Sequence, residues 1–472
     1  MEPVAKLHDS EKSRLFDSIA RTGEACPEHT DGGLPRGVGE EVWSQWGQKE
    51  RFCASKSLAI GSIVSGAQSS LSLAELIDTA LKNNPETEKA WANVKRAQAA
   101  LGVAKSSNYP SVDATGTSMH GREVKFPNGP NTIYTNYGGE LSLSYLLLDC
   151  GERNAAIEAM KEALKAARWE SDFAIQRVIY KVCAHYYEYL HADELLKMKE
   201  STLIDFKTMF EAADELYKAG LRCMTDLNMS KAEVAQAHMD VAQEKARVAI
   251  AYGKLLTSLG LPIEMVIHVQ TNPDGMKTSL FSEGTSKLIA MAEGQRADLL
   301  AKKAALSEMK QRVKRASRAP LPKLRAVGQG GWLEYTKHQG SGYNYNVGLA
   351  LDIPIFKGFE YSYNKRLALA NQEITAAELR DLREAIAQEV LTYSELVKAA
   401  EESLKWSSEY MSEACKSFDG TLESYKAGLQ NVFDLIQSQR SLADARIKKA
   451  QARTQWLVSL AELAFATGSI TK

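Results

Sequence analysis

Within one stretch of predicted helix, three side chains have the types and spacing that can bind a metal ion: His185, Glu188 and His191. A glutamate with a histidine three residues later is the ligand pair of helical di-iron sites, but such a site needs a second Glu-x-x-His pair. The sequence contains no second pair, and histidines six residues apart lie on different faces of a helix. We therefore interpret these residues as helix-surface and aromatic packing residues, and we predict no metal and no cofactor.

The sequence shows no other constellation of reactive side chains. It has no Gly-rich phosphate loop, no nucleophile elbow and no Ser/His/Asp arrangement, so we predict that the protein is not an enzyme. The formal net charge is −1 over 472 residues, and no basic patch is combined with stacking aromatic residues, which disfavours nucleic acid as a partner. The six cysteines lie far apart without a C-x-x-C pair and are interpreted as unpaired packing residues.

The N-terminal part of the sequence has the features of an export signal preceded by an extension. Residues 51–67 carry a basic lead, a short apolar stretch and small residues where a signal peptidase requires them, at Ser65 and Ala67. An ordinary apolar helix end is the alternative interpretation. Residues 1–50 are charged and aperiodic, which indicates a disordered extension or a start assigned too far upstream. No run of about 18 apolar residues occurs in the chain, which excludes a membrane-spanning helix.

The second half of the chain repeats the first. A segment beginning YKAGL starts at Tyr217 and again at Tyr425, an offset of 208 residues, and similarity continues for about twenty residues. Upstream, Pro110 and Pro322 open matching segments at an offset of 212 residues, so the spacing changes by one loop length. A tandem duplication therefore predicts two copies of one unit, residues 71–264 and 286–468, joined by a linker over 265–285.

Each copy shows the same order of predicted elements: a helix, two alternating strands, a long proline-free helix, a Gly-containing turn and a shorter helix. Ser72 and Glu75 have capping-box spacing at the start of the first helix. The predicted bounds are helix 72–106, strands 111–119 and 138–148, and helices 151–218 and 224–260, then helix 286–317, strands 323–333 and 343–353, and helices 359–426 and 432–467. At the helical rise per residue, each long helix forms a rod of roughly 100 Å.

The predicted strands indicate the function, because one of their faces is apolar. Two hairpins supply four strands, too few to close a membrane barrel, whose smallest form has about eight. An open sheet with unpaired edges is an aggregation hazard in water and inadmissible in lipid, so several chains must combine their strands. We predict a mainly α-helical protein with a β-barrel contribution, in which long helical hairpins project as a tube from a water-filled barrel. The apolar face of the second copy consists of Tyr345, Val347, Leu349, Leu351 and Ile353.

A soluble or periplasmic coiled-coil scaffold or adaptor protein is the alternative. Val234, Val241, Val248 and Leu255 recur every seven residues, as in a coiled-coil seam. Against this alternative stands the five-residue apolar strand face, which nothing else in the sequence can bury. The basic run over residues 302–325 is interpreted as a solvated helix face, with contact to anionic lipid head groups as a second possibility.

Several features together resemble the outer-membrane efflux proteins typified by TolC. They are the tandem repeat, Asn84-Pro85-Glu86 in the first helix, Pro354-Ile-Phe-Lys-Gly358 after the second hairpin and the paired Tyr-Lys-Ala-Gly-Leu turns. The resemblance extends from Leu71 to Gly468, and it is specific in the order and spacing of the motifs. It implies a homotrimer with a twelve-stranded β-barrel in the bacterial outer membrane, in contact with its lipid, and an α-helical barrel in the periplasm. It also implies docking to a periplasmic adaptor and an inner-membrane transporter, in efflux or type I secretion.

The resemblance further implies a gate at the periplasmic end, in the turns between long and short helices. Asp226 and Tyr425 match gate positions of the family, Asp434 matches a position in an acidic ring, and the ring's deeper companion falls on the neutral Gln437. Gln430 stands where the typical member has an arginine, which removes one charged link. A helix N-cap role is the alternative for both aspartates. The candidate gate residues are Arg222, Asp226, Tyr425, Gln430 and Asp434.

Overall fold

The structure, a computed structural model, describes residues 70–123, 132–220, 223–270, 284–335, 340–427 and 429–470. The chain divides into two units, Met1–Ala67 and Gln68–Lys472. The first unit lies outside the described residues. The predicted extension over 1–50 and the export signal over 51–67 therefore remain predictions, and the linker is described only at its two ends.

The described part of the second unit contains eight helices and four strands, in the predicted order except that the first helix of each copy is divided into two. The first copy contains α1 (Leu73–Asn83), α2 (Pro85–Ser106), β1 (Ser111–Glu123), β2 (Thr132–Leu148), α3 (Glu152–Lys218) and α4 (Met224–Leu259). The second copy contains α5 (Thr285–Gln295), α6 (Ala297–Arg318), β3 (Lys323–Tyr335), β4 (Ser341–Asp352), α7 (Glu360–Lys426) and α8 (Val432–Thr467). Both long helices, α3 and α7, have 67 residues, and both shorter ones, α4 and α8, have 36.

The prediction of one continuous first helix in each copy, over 72–106 and 286–317, is wrong. In the first copy the helix breaks at Asn84, because the residue before a proline is driven out of the helical conformation. Asn84 is extended, and its side-chain oxygen accepts the N–H of Glu86 at the start of the next helix. In the second copy Arg296 is equally extended, with φ −65° and ψ 120°, although no proline follows. Its guanidinium is held by Asp298 and Glu389, so tertiary contacts accompany this break. The capping box of Ser72 and Glu75 at the start of α1 is confirmed.

The four strands form one antiparallel sheet in the order β1-β2-β3-β4, and β1 and β4 are its edges. All four extend beyond the predicted bounds toward their hairpin loops. In the register, Leu141 of β2 lies between Ala114 of β1 and Gly330 of β3. The apolar face of β4 is open to solvent in the single chain, with exposed fractions from 89% at Tyr343 to 60% at Leu351.

The helices pack along the seven-residue seam that the sequence indicates. Val241 and Leu255 are buried, and so are Leu442 and Leu463 of α8, which match Val234 and Leu255 at the offset of 208 residues. The long helix α3 packs on α4 from its own copy and on α6 and α8 from the second copy, so the two copies share one helical body. Among the described residues, no helix is both long enough and apolar enough to span a bilayer.

Candidate gate at the tips of the helical hairpins

The two turns that join long and short helices form the tips of the molecule's helical hairpins. After α3, Gly220 adopts a left-handed conformation with φ +73°, and its N–H donates to the carbonyl of Tyr217 at 2.9 Å. After α7, the N–H of Leu429 donates to the carbonyl of Ser424 at 2.9 Å, which closes the end of the helix. At both turns, hydrogen bonds to carbonyls of the last helical turn end the helix before the chain reverses. Glycine is common at such helix ends, because it adopts the left-handed conformation easily. Of the candidate gate residues, Arg222 lies outside the described residues.

The alternative interpretation of the two aspartates as N-caps is wrong. The N-cap residues are Cys223 and Asn431, and Asp226 and Asp434 are the third residues of their helices. Asn431 provides the cap of α8, because its side-chain oxygen accepts the N–H of Asp434 at 2.9 Å. Both carboxylates are partly exposed and form no ion pair with a described residue. Their negative charges lie at the N-terminal ends of α4 and α8, where the helix dipole stabilises anions.

Tyr425 and Gln430 occupy different environments at the second tip. The tyrosine is partly buried and packs on a small apolar cluster that contains Phe206 of α3 and Val432 and Ile436 of α8. This cluster also includes residues of α4, so it joins both hairpins close to their ends. Gln430 lies in the turn itself and is partly exposed. The structure thus places four of the five candidate residues at the tips and gives Tyr425 a packing role.

The sequence analysis missed the polar contacts that hold the two hairpins together. The guanidinium of Arg440 in α8 pairs with Glu233 in α4, whose side chain is only 13% exposed. Gln439 in α8 is fully buried and donates to Asp205 in α3 at 2.7 Å, and Arg446 lies 3.6 Å from the same carboxylate. We call these contacts the inter-hairpin links. Gln439 could have indicated these links from the sequence, because it is a polar residue three positions from both Ile436 and Leu442 on a buried stripe. A buried polar side chain requires a hydrogen-bond partner.

The His185–His191 segment is accounted for by packing and ion pairing. Glu188 accepts from Lys254 of α4 at 2.5 Å and contacts the ring of His185 at 3.2 Å. The ring of His191 lies 3.2 Å from the hydroxyl of Thr454, and burial lowers the pKa of His191. Across the described residues, no group of three or more His, Cys, Asp or Glu side chains is arranged to hold a metal ion.

With this architecture described, the chain can be compared with known proteins. A family model described as "Outer membrane efflux protein" matches residues 76–261 and 288–469, which are the two repeats. The chain belongs to this family. Its resemblance to the TolC-like outer-membrane efflux proteins, inferred from the sequence, is thereby confirmed.

Known proteins align with this chain over most of their length. Outer membrane protein TolC of Vibrio cholerae serotype O1 is 22% identical over 428 residues, which are 88% of this chain and 94% of that protein. Protein CyaE of Bordetella pertussis is 26% identical over 401 residues, with 83% of each chain covered. The solved structure of the outer-membrane channel OprN has a TM-score of 0.76 at 18% identity and covers 84% of this chain and 90% of that one. The fold is therefore shared with outer-membrane channels.

Membership of the outer membrane efflux family decides between the classes left open by the sequence. The protein is an outer-membrane protein of the efflux and secretion channel class, and its relatives are channels rather than enzymes. The prediction that it is not an enzyme is confirmed. The alternative of a soluble or periplasmic coiled-coil scaffold is wrong, because the repeats and the sheet both match channel proteins.

Proposed function

We propose that three copies of this chain form a channel-tunnel that serves as the exit duct for efflux or type I secretion, together with a periplasmic adaptor and an inner-membrane transporter. Three four-stranded sheets supply the strands of a twelve-stranded barrel in the outer membrane. The paired long and short helices supply the wall of the periplasmic tunnel. The observation that carries the proposal is the open four-stranded sheet, with two free edges and one exposed apolar face.

The two faces of this sheet support a barrel with lipid outside and water inside. Val347, Leu349 and Leu351 of β4 point to one side and are 60–86% exposed. On the other side, Asn346 donates to Gln329 of β3 at 3.0 Å, a polar contact suited to a water-filled lumen. Since lipid cannot satisfy the free backbone groups of β1 and β4, each edge requires a strand from another protomer.

The assembly is tested by fractionating bacteria that express the full gene and by running the outer-membrane protein on a gel without boiling. The expected result is a heat-dissociable trimer in the outer-membrane fraction. Mass spectrometry of the N-terminus then tests the export signal, with a start near Gln68 expected. Recovery of a monomer alone would overturn the proposed trimer. Co-purification with a tagged adaptor of the same cells tests the proposed partners.

We further propose that Asp226 and Asp434, with Arg222, Tyr425 and Gln430, line a constriction at the periplasmic end of the tunnel. In a trimer, each aspartate contributes a ring of three carboxylates, and such a ring attracts cations and disfavours anions. Both carboxylates lie in the first turn of a short helix at the tip and are partly exposed, which supports this role.

Replacing both aspartates with asparagine is expected to reduce the cation selectivity of the channel several-fold, because six negative charges leave the constriction of each trimer. The reversal potential in planar bilayers under a salt gradient measures this selectivity. Asp78→Asn is the matched control, because Asp78 is an exposed residue of α1 paired with Lys82. A reversal potential that the double variant leaves unchanged contradicts the gate assignment.

The inter-hairpin links are expected to keep the two hairpins of a protomer together at the closed end. Arg440→Glu places a second carboxylate against Glu233 and so destabilises the closed tip. A change of about 1 kcal/mol in the free-energy difference between closed and open tips shifts their ratio roughly fivefold. We expect a larger mean conductance in single-channel recordings.

The double variant Arg440→Glu with Glu233→Arg restores the ion pair and should restore the original conductance. Lys448→Glu is the control, because Lys448 lies on the same helix and its ion pair, with Asp444, is within that helix. A conductance that responds equally to Arg440→Glu and to the control refutes a specific role for this link.

A further inference from the structure

A cavity of about 660 Å³ lies between α7 and α8 in the helical wall, and α3 contributes one side chain to it. α7 provides two aromatic rings, Trp406 and Tyr410, and α8 provides two amides, Gln451 and Gln455. Within each pair the residues are four apart, so they lie on one face of their helix. His191 of α3 completes this set. Sites for small molecules commonly measure about 300–1,000 Å³, so the cavity is large enough for a ligand.

Helix periodicity places the cavity on one particular side of the helical wall. Leu457 and Leu460 of α8 belong to the buried clusters that hold α1 and α5. Gln455 lies two residues before Leu457, and Gln451 lies nine residues before Leu460. At about 3.6 residues per turn, both separations place the two side chains on opposite sides of a helix. The cavity therefore lies on the face of the wall opposite to α1 and α5.

In the proposed trimer, this face of the wall lines the tunnel. α1 and α5 are additional to the paired long and short helices that form the wall. Three walls that close into a narrow tube leave room for additional helices only on the outside, so the face opposite to α1 and α5 is the inner one. Trp406 lies roughly 70 Å along α7 from its start at Glu360, at the helical rise per residue. The inference rests on the proposed function, because the cavity faces a lumen only when three copies enclose one.

Positive and negative side chains balance next to each aromatic ring of the cavity. Beside Trp406, Lys405 lies 5.4 Å from the ring centroid, and Glu402 accepts from the indole N–H at 3.3 Å. Beside the tyrosine ring, Lys448 lies 5.4 Å from the centroid and pairs with Asp444 at 2.8 Å. A ligand with a net charge of either sign therefore gains little here, which favours a neutral one.

The hydrogen-bonding groups of the cavity are uncharged as well. Gln451 and Gln455 are exposed, and a glutamine amide both donates and accepts hydrogen bonds. The ring of His191 lies 3.2 Å from the hydroxyl of Thr454, and it is neutral near neutral pH because burial lowers its pKa. A purely apolar ligand would remove water from these groups without replacing its hydrogen bonds. A ligand that suits the cavity is therefore polar as well as neutral.

A sugar has both properties, together with an apolar surface that suits the two rings. The C–H groups on the flat faces of a sugar ring carry partial positive charge, which the negative face of an aromatic ring attracts. The hydroxyl groups of the sugar lie around its edge and both donate and accept hydrogen bonds. Trp406 and Tyr410 are 54% and 40% exposed, so both rings are available for stacking.

We propose that each cavity binds a neutral oligosaccharide inside the tunnel, with one sugar ring stacked on Trp406 and its hydroxyl groups bonded to Gln451 and Gln455. The exit duct thereby carries glycans as a class of cargo. The three cavities of a trimer lie at the same height around the lumen. Each binds the sugar weakly enough to release it, since a duct that conducts must also let its cargo leave.

The neighbouring protomer is the rival occupant of the space beside Trp406. Among the described elements, α7 packs on α5, α6 and α8, so its far side faces the next chain in a trimer. The cavity lies between α7 and α8, away from that side. Trp406→Leu is therefore expected to leave the heat-dissociable trimer intact on an unboiled gel. Loss of the trimer in this variant would show that Trp406 is a contact between protomers and would overturn the site.

Block of the ion current in planar bilayers tests the site in the assembled channel. We expect at least one of two neutral probes, maltotriose and triacetylchitotriose, to reduce the current of the wild-type trimer in a saturable manner. Trp406→Leu keeps an apolar side chain without a ring and should weaken the apparent affinity roughly fivefold, whereas Trp406→Phe should stay close to wild type. A trimer that conducts but shows no saturable block by either sugar overturns this inference and leaves the proposed function standing. Absence of any conducting trimer overturns the proposed function and this inference with it.

The two amides are tested by a separate pair of variants. The double variant Gln451→Ala, Gln455→Ala should weaken the apparent affinity roughly fivefold, because it removes hydrogen bonds to the sugar. The control is Gln243→Ala, Gln388→Ala, which removes two exposed glutamines of α4 and α7 that lie outside the cavity. Equal affinity in the two double variants overturns the proposed site.

Discussion

Arg296→Met is expected to destabilise the protein by about 3–5 kcal/mol, because it leaves two carboxylates without their common cation. The side chain of Arg296 is 6% exposed; it lies 2.7 Å from Asp298 and also pairs with Glu389. It further donates to the carbonyl of Ala466 at 3.4 Å, so it ties the helix break to α7 and α8 together. When one partner of such a buried network is removed, the groups that remain are still desolvated but no longer paired, and the protein loses stability by the full cost of their desolvation.

The first copy provides the control for this prediction, because the ion pair beside its own helix break is exposed. There, Glu86 on α2 pairs with Lys181 on α3 at 2.5 Å, and the two side chains are 36% and 41% exposed. Lys181→Met should therefore change the free energy of unfolding by at most about 1 kcal/mol. Equilibrium unfolding of the purified protein in detergent, followed by circular dichroism, measures both variants. Equal losses of unfolding free energy in the two variants would show that burial does not determine how much these ion pairs stabilise the fold.

Gly260→Ala is expected to lower the free energy of unfolding by about 2–4 kcal/mol, from a left-handed backbone and a steric clash combined. Gly260 ends α4 with φ +72°, and a Cβ there would lie 2.6 Å from the carbonyl oxygen of Asn83. That oxygen belongs to the backbone at the break between α1 and α2, so it cannot move aside as a flexible side chain could. The substitution therefore strains the junction of three helices.

Gly253→Ala on the same helix should have the opposite sign, with a gain of about 0.5–1 kcal/mol. Gly253 lies inside α4, and an added Cβ meets no atom within 4 Å. Alanine there reduces the freedom of the unfolded chain without a steric penalty in the fold. The same unfolding measurement compares the two variants. If both substitutions destabilise the protein, the short distance between Gly260 and the Asn83 carbonyl is not the cause of the effect of Gly260→Ala.

Much of the fold could be predicted because its sequence patterns involve neighbouring residues and occur in both copies. Periods of two and of seven residues identify strands and packed helices, and the offset of 208 residues between Tyr217 and Tyr425 gives independent support to each element. The capping box at Ser72 and the chain reversal at Gly220 depend only on neighbouring residues. Edge strands with an apolar face also indicate from the sequence alone that one chain is incomplete.

The candidate gate was predicted less completely, because its contacts join residues far apart in the chain. The sequence analysis placed Asp226 and Asp434 at the tips, but it could not show that Cys223 and Asn431 occupy the N-cap positions. The partners Glu233 and Arg440 are 207 residues apart, and no periodic pattern connects them. They meet only because α4 and α8 both pack on α3 and approach each other there.

The sequence by itself determined the duplication, the order of the elements and the seam along which the short helices pack, since all of these follow from spacing along the chain. The tertiary structure alone decided where helices break without proline and which charges become buried. Asn84 and Arg296 are equivalent positions with the same extended backbone, yet a proline accompanies the first break and a buried guanidinium the second. Local sterics can be predicted from neighbouring residues, whereas the partners of a buried charge depend on how distant helices pack.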